Sequence, residues 1–318
     1  MDKQPADLIP KGGPSTEEIE KRWNKFCFNY SEFGAKYFRA SALQMFDFVQ
    51  AQKSDVILEM GCGDGTATID FALMKRKDAK LICNDIARNM CIITVGRLRH
   101  LAQLEKSQST TGYRDKVFSQ EQDLSTIQFV GEAETVTELN TTVVHGNNEQ
   151  LGSHVADMSV DTLIASLSLH IVSSPQAMLQ ESFRLLKHGG QAIYSVWGQR
   201  DNSYQFVSVE KTKEKFGIPP STKRNSWHLN NKEALIQMVT DAGFVDVLAW
   251  EQFIPFIKAD PATRKQEYRY LLEVDWTENL RDKLDEAVEY LFNLQEDVYN
   301  RLHFPVGLNL LYVTGRKP

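Results

Sequence analysis

The segment VILEMGCGDGTAT at 56–68 constrains the architecture more than any other stretch of the chain. A β-branched, apolar run reaches Glu59 and Met60, then Gly61, Gly63 and Gly65 follow at alternate positions, and a helical pattern opens at about Thr66. Glycine has no Cβ, so the backbone there can turn sharply and approach a ligand closely. The helix that follows points its free N–H groups and positive dipole end back at the turn. Strand, glycine turn and helix make one β-α unit, and such units build parallel sheets covered on both faces. The spacing alone also fits a tight turn with no ligand. Glu59 favours a ligand, because a carboxylate at a strand's C-terminal edge, two residues before the first glycine, suits an ammonium group better than a phosphate.

The rest of the chain repeats the alternation. Short β-branched runs stand at 79–85 (AKLICND), 141–146 (TTVVHG), 161–166 (DTLIAS), 191–197 (QAIYSVW) and 308–317 (LNLLYVTGRK), with helical stretches between most of them. The fold class is therefore α/β, with a parallel sheet between layers of helices. Ser15 and Glu18 form a capping box before the apolar face Ile19, Trp23 and Phe26, and a second helix runs through Tyr37, Met45 and Val49. Ser174 caps a helix with Pro175 at its first position, and Gly189-Gly190 is expected to close it. Asn230 with Glu233 is expected to start another, which stops at Gly243. Two stretches break the pattern. Residues 107–140 are polar and read as an insertion, partly disordered or a small hairpin. Residues 260–303 read as a helical insertion, with Leu284, Val288, Leu291, Leu294 and Val298 at helical spacing.

Asp85 ends the second run, LICNDIARNM. An acid at this place can accept hydrogen bonds from both ribose hydroxyls of an adenosine ligand. Its position favours that role over the alternative, capping the helix that follows.

At 318 residues the chain is long enough for one large α/β domain or two small ones. Its formal charge of −6 speaks against a nucleic-acid binder, which needs a basic face. Cys27, Cys62, Cys83 and Cys91 contain no C-x-x-C pair, so neither a disulfide framework nor a metal site is expected. No apolar run is long enough to span a bilayer, and the tail MDKQPADLIPKGG resembles neither a signal nor a transit peptide. The expected compartment is the cytoplasm, unless an organelle-targeting signal of atypical form is present.

EMGCGDG followed by NDIARNM resembles the class I S-adenosylmethionine-dependent methyltransferases, whose pattern is an acid, a G-x-G-x-G loop and a second strand ending in Asp. The likeness continues through HGNNEQL at 145–151, VDTLIASLSLHIV at 160–172, LLKHGGQAIYSVWG at 185–198 and DAGFVDV at 241–247, in the family's order. The resemblance implies a Rossmann-like sheet of seven strands, mostly parallel, with the last strand antiparallel. It implies two parts: a tail and cap helices at 1–53, and a methyltransferase domain at 54–318 that carries the insertions 107–140 and 260–303.

It also implies roles for individual residues. Glu59 with the loop Gly61, Gly63 and Gly65 holds the methionine end of S-adenosylmethionine. Asp85 takes the ribose, Ile86 and Met90 sandwich the adenine, and Asn147 and Asn148 meet its edge. Ser166 lies near the methionine moiety. His170 stands where the family often has a histidine, and acts either as a general base or acceptor contact or as a structural residue. Tyr30 and Tyr37 are candidates to close the pocket or core aromatics, and Trp197 is a wall of the acceptor pocket or core.

The implied activity is methyl transfer to a small-molecule acceptor, with a likeness to the quinone-biosynthesis C-methyltransferases. The acceptor site is then built from 15–52 and 199–228, with 260–303 as a lid. The chain departs from the family in three ways: Asn147 replaces a usual Asp, Ala87 lacks the capping hydroxyl common there, and the 107–140 connection is long. These departures keep open a catalytically weak or inactive homologue acting as an assembly subunit. A nicotinamide-dependent dehydrogenase fits less well, because its loop is spaced G-x-G-x-x-G.

Overall fold

A computed structural model of the protein describes residues 13–108, 111–118, 127, 129–219, 225–256, 258–273, 276, 278–301, 303 and 306–318. The tail at 1–12 and parts of the stretches 107–140, 199–228 and 260–303 lie outside the described residues.

The chain begins with α1 (Thr16–Asn29), whose capping box is formed as expected. Ser15 Oγ accepts from the Glu18 amide at 3.2 Å, and the Glu18 carboxylate accepts from the Ser15 amide at 2.9 Å. One π turn (Tyr30–Gly34) leads without a break into α2 (Ala35–Phe48). Then come β1 (Val56–Met60), α3 (Thr68–Met74), β2 (Lys80–Asp85), α4 (Arg88–Lys106) and α5 (Tyr113–Phe118). The middle holds β3 (Ala133–Val136), β4 (Thr141–His145), β5 (Val160–Ser166), α6 (Pro175–Leu185), β6 (Leu186–Trp197) and α7 (Tyr204–Lys215). The chain closes with α8 (Lys232–Asp241), β7 (Val245–Pro255), α9 (Pro261–Glu273), α10 (Leu284–Arg301) and β8 (Gly307–Arg316).

The strands form a single sheet in the order β3-β4-β2-β1-β5-β6-β8-β7. Strands β4, β2, β1, β5 and β6 are parallel, and β8 lies between β6 and β7, antiparallel to both. The antiparallel final strand was expected; the count of seven was not met. The eighth strand is β3, which turns back antiparallel onto β4 through Asn140 in the left-handed region at φ 45°. Its residues AETV bury only Val136, so a polar edge strand carries little apolar alternation to read.

Three local boundaries also differ. Gly189-Gly190 does not close a helix: α6 ends at Leu185 and both glycines lie inside β6. There Leu186 pairs with Val160, and Lys187 reaches Asp161 at 2.7 Å, so the strand starts at once. Asn231, not Asn230, caps α8, by accepting from the Ala234 amide at 2.8 Å. The helix after the glycine loop begins at Thr68 rather than Thr66.

Apolar clusters cover both faces of the sheet, as a mostly parallel sheet requires. Phe46, Phe71, Val95 and Leu98 from α2, α3 and α4 pack one face. Met178, Leu179, Leu235 and Val239 from α6 and α8 pack the other. A third cluster, with Val209, Tyr268, Leu272, Val288 and Leu291, joins α7, α9 and α10 into a cap. The cap meets the N-terminal helices where Tyr270 packs on Phe26, their ring centroids 5.0 Å apart. No helix among the described residues is long and apolar enough to cross a membrane.

Candidate functional site

The C-terminal ends of the parallel strands are where this sheet opens to solvent. Gly61, Gly63, Ile86, Asn147, Ser166 and Trp197 are partly exposed there, while the strands beneath them are almost wholly buried. A crevice outside the carboxyl ends of the strands is where open α/β sheets bind ligands.

The glycine loop is built into the fold. The Gly61 and Cys62 amides both donate to the Asn84 carbonyl at 2.9 Å, which ties the loop to β2. Gly61 has φ +75°, and a Cβ there would come within 2.7 Å of the Ser168 Cβ, so only glycine fits. From below, Thr94 Oγ1 donates to the Gly63 carbonyl at 3.0 Å. Arg97, also on α4, donates to the Asp64 carbonyl at 2.7 Å, pairs with the Asp64 carboxylate, and reaches Ser31 Oγ at 2.6 Å. This buried ion pair joins three elements: loop, α4 and π turn. Sequence reading missed Asp64 and Arg97, because nothing in their 33-residue separation signals the contact.

Two buried carboxylates flank the loop. Glu59, 4% exposed, accepts from Thr68 Oγ1 at 2.6 Å, and burial pushes its carboxyl up to about 8. Asp85, 8% exposed, accepts from the Ala87 amide at 2.8 Å and the Gly63 amide at 2.9 Å. Burial pushes Asp85 up to about 6, against the pull of those two hydrogen bonds. Asp85 therefore supplies the cap that Ala87 lacks and also fixes the loop. An ionised carboxylate offers about four acceptor sites, so it retains capacity for a ligand's hydroxyls.

Tyr30 lies over this arrangement. Its ring passes 2.9 Å from where a Cβ at Gly34 would be and 3.4 Å from one at Gly63. Burial, with the nearby Asp64, Asp85 and Glu59 carboxylates, raises its phenol well above the usual range.

Other expected site residues are distributed unevenly. Met90 is 1% exposed and packs in the core with Cys27, Ala87 and Ile93, against Trp23 and Tyr30. Ile86 stays partly exposed, and its carbonyl accepts from His145 Nε2 at 3.0 Å. Asn147 Oδ1 accepts from the Glu149 amide at 3.0 Å, closing a tight turn. Asn148 turns inward: its Oδ1 accepts from Asn84 Nδ2 at 2.6 Å, and its own Nδ2 lies beside Gly61. Ser166 sits at the end of β5, 3.5 Å from Ser195 Oγ. Ser168 Oγ donates to the Met60 carbonyl at 3.1 Å, so the turn after β5 abuts the glycine loop.

His170, two residues further on, is buried 5.8 Å from the Trp197 ring, and its carbonyl accepts from His228 Nε2 at 3.0 Å. Trp197 packs on Phe206 at 4.3 Å and Trp227 at 4.6 Å. Phe206 meets Phe256 at 6.3 Å, and Phe256 stacks on Tyr37 at 4.4 Å. An aromatic wall thus runs from His170 to Tyr37, whose hydroxyl donates to Glu267 of α9 at 2.6 Å. Phe206, Trp227 and Phe256 were not singled out in the sequence; single aromatics far apart leave no spacing to read.

Comparisons with known proteins agree with this geometry. Residues 122–194 match a family profile described as a methyltransferase domain. A human arsenite methyltransferase is 37% identical over 57 residues, a match that covers 18% of this chain and only 15% of that protein. The solved structure of the [4+2]-cyclase SpnF superposes with a TM-score of 0.54 at 14% identity, covering 98% of each chain. The chain has the class I methyltransferase fold. A phosphoethanolamine N-methyltransferase 2 of Haemonchus contortus, solved with phosphomonomethylethanolamine and S-adenosylhomocysteine, shares this methyltransferase fold. Its TM-score is 0.51 at 14% identity, covering 96% of this chain and 60% of that one. The matched segment spans less than half of the chain, and at 14% identity the structural likeness shows the fold alone. The cyclase is a reminder that one fold hosts several chemistries, so the activity must be argued from the site.

Proposed function

We propose that this protein transfers the methyl group of S-adenosylmethionine to a small-molecule acceptor by in-line displacement. The observation that carries the reading is the pair of buried carboxylates, Glu59 and Asp85, on either side of a glycine loop whose Gly61 and Gly63 stay partly exposed. Both are held above the ordinary carboxylate range by burial. A ligand bringing a cation to Glu59 and hydroxyls to Asp85 restores what burial removed. S-adenosylmethionine fits that donor set, with an ammonium and a sulfonium at one end and a ribose further along.

When bound, the cofactor supplies a methyl group already activated by its sulfonium, so the chain needs no covalent nucleophile. The protein's task is then to bind, align and exclude water. Glu59 and the loop at Gly61, Gly63 and Gly65 hold the methionine end, near Ser166. Asp85 holds the ribose. Ile86 forms the adenine wall with Met90 supporting it from the core, and Asn147 and Asn148 define the adenine edge. Tyr30 and Tyr37 close the chamber from the N-terminal side, and the described parts of 15–52 and 199–228 form the acceptor pocket, with those of 260–303 as its lid. His170 lies on the acceptor side, where it takes a proton if the acceptor atom carries one. The division into cap helices at 1–53 and a catalytic domain at 54–318 belongs to this proposal.

The test is a screen of the full chain with methyl-labelled S-adenosylmethionine against a small-molecule extract and a macromolecular fraction. Label is expected in a small molecule. Label confined to protein or nucleic acid, or no label above the enzyme-free blank, overturns the reading.

A further inference from the structure

The cap contains a buried cation with more hydrogen-bond donors than partners. Arg264, in the first turn of α9, is 4% exposed. Its Nη2 donates to Glu296 Oε1 at 2.7 Å, whereas among the described residues Nε and Nη1 have no hydrogen-bond partner. Buried donors on a charged group are costly to leave unmade. Nε shares its edge with the committed Nη2, and Nη1 lies on the other side of the guanidinium, so each of the two offers single N–H groups to an oxyanion oxygen.

The surroundings point the same way. Lys258 Nζ lies 3.0 Å from the same Glu296 oxygen, so one carboxylate faces two cations. The next acid on α9, Glu267, is already committed to Lys36 at 2.7 Å and Tyr37 at 2.6 Å, and does not offset the excess. Arg264 lies 4.5 Å from the Phe292 ring and 5.8 Å from Tyr299, and Lys258 lies 4.5 Å from Tyr299. Tyr268, one turn along, donates its proton to Gln295 at 2.6 Å. Its oxygen lies near enough to the Arg264 guanidinium to interact with it, without meeting the full geometry of a hydrogen bond to Nε or Nη1. A net positive charge held among aromatic rings favours an oxyanion attached to an apolar body. The site also adjoins the acceptor chamber. Glu267, three residues after Arg264 on one face of the helix, holds Tyr37, which stacks on Phe256 of the aromatic wall.

We propose that Arg264, assisted by Lys258, binds a carboxylate or phosphate on a small aromatic or apolar molecule, and that the methyl acceptor is an anion of this kind. Naming the ligand as the acceptor rests on the methyl-transfer reading; the anion site itself does not.

The experiment titrates the full chain, with and without saturating S-adenosylhomocysteine, with benzoate, phenyl phosphate and neutral benzamide, read by calorimetry. At least one of the two oxyanions binds, and which one binds separates carboxylate from phosphate; benzamide does not bind. Arg264→Met is expected to lose at least tenfold in oxyanion affinity, and Lys258→Met several-fold, with S-adenosylhomocysteine binding unchanged in both. Because Arg264→Met removes a buried group and can fail to fold, the half-exposed Lys258 supplies the deciding variant in that case. The proposal is overturned if neither oxyanion binds, if benzamide binds as well as they do, or if the folded variants bind like the wild type. Oxyanion binding without S-adenosylhomocysteine binding upholds the anion site and removes the cofactor reading. The converse removes only the anion site.

Discussion

Replacing Glu59 by Gln isolates the energetic cost of burying an acid beneath the glycine loop. Glutamine keeps an oxygen to accept from Thr68 Oγ1, so the local hydrogen bond survives. An exposed glutamate loses its proton near 4.5, whereas folded Glu59 holds it up to about 8. Between those values the native state binds a proton that the unfolded chain has released, so unfolding free energy falls as pH rises. Each pH unit in that window costs about 1.36 kcal/mol, or ~3 kcal/mol between pH 5 and 7.5. The glutamine variant escapes this cost, and the raised Asp85 is common to both proteins and cancels. Urea unfolding of both ligand-free proteins across pH 5–8.5 provides the measurement. The stability of Glu59→Gln relative to wild type should grow by ~3 kcal/mol from pH 5 to 7.5 and level off above pH 8. A difference that stays constant with pH refutes the reasoning.

Asp85→Ala is expected to weaken S-adenosylhomocysteine binding by roughly 2–3 kcal/mol in calorimetric titration, the worth of charge-assisted hydrogen bonds to a ribose. Wild-type affinity in that variant removes the ribose role. Arg97→Met leaves Asp64 buried without its partner, and should cost about 3–5 kcal/mol in urea unfolding; a loss below about 1 kcal/mol, the range of surface ion pairs, contradicts the clamp described for the loop. His170→Ala should leave the S-adenosylhomocysteine dissociation constant within a few-fold, since the side chain sits by Trp197 rather than by the glycine loop. Turnover across pH 6–9 then decides its role: full activity at every pH makes it structural.

The parts of the fold legible in the sequence were those written in local chemistry. Ser15 and Glu18 are three residues apart, and their capping box formed as the pattern required. Val56–Met60, Lys80–Asp85 and Val160–Ser166 are buried on both sides, so their apolar runs were plain. The antiparallel last strand was not read from periodicity; it came with the family likeness. What stayed hidden had no local signature. The strand at Ala133–Val136 exposes most of its side chains on a sheet edge. Gly189 and Gly190 look like a helix stop until the pairing of Leu186 with Val160 is known. At the site, glycines and acids announced the loop, but the Asp64–Arg97 clamp and the rings of Phe206, Trp227 and Phe256 are brought together only by tertiary folding.

The central claim is that the crevice above Gly61–Gly65 seats S-adenosylmethionine. Its most direct test is calorimetric titration of the full chain with S-adenosylhomocysteine and, separately, with NAD, each checked by thermal unfolding. The account predicts saturable one-to-one binding of S-adenosylhomocysteine and, at a hundredfold over its dissociation constant, stabilisation of about 2.7 kcal/mol. NAD at the same concentration should give neither heat nor a melting shift. Absence of any response to S-adenosylhomocysteine at millimolar concentration, or tighter binding of NAD, contradicts it.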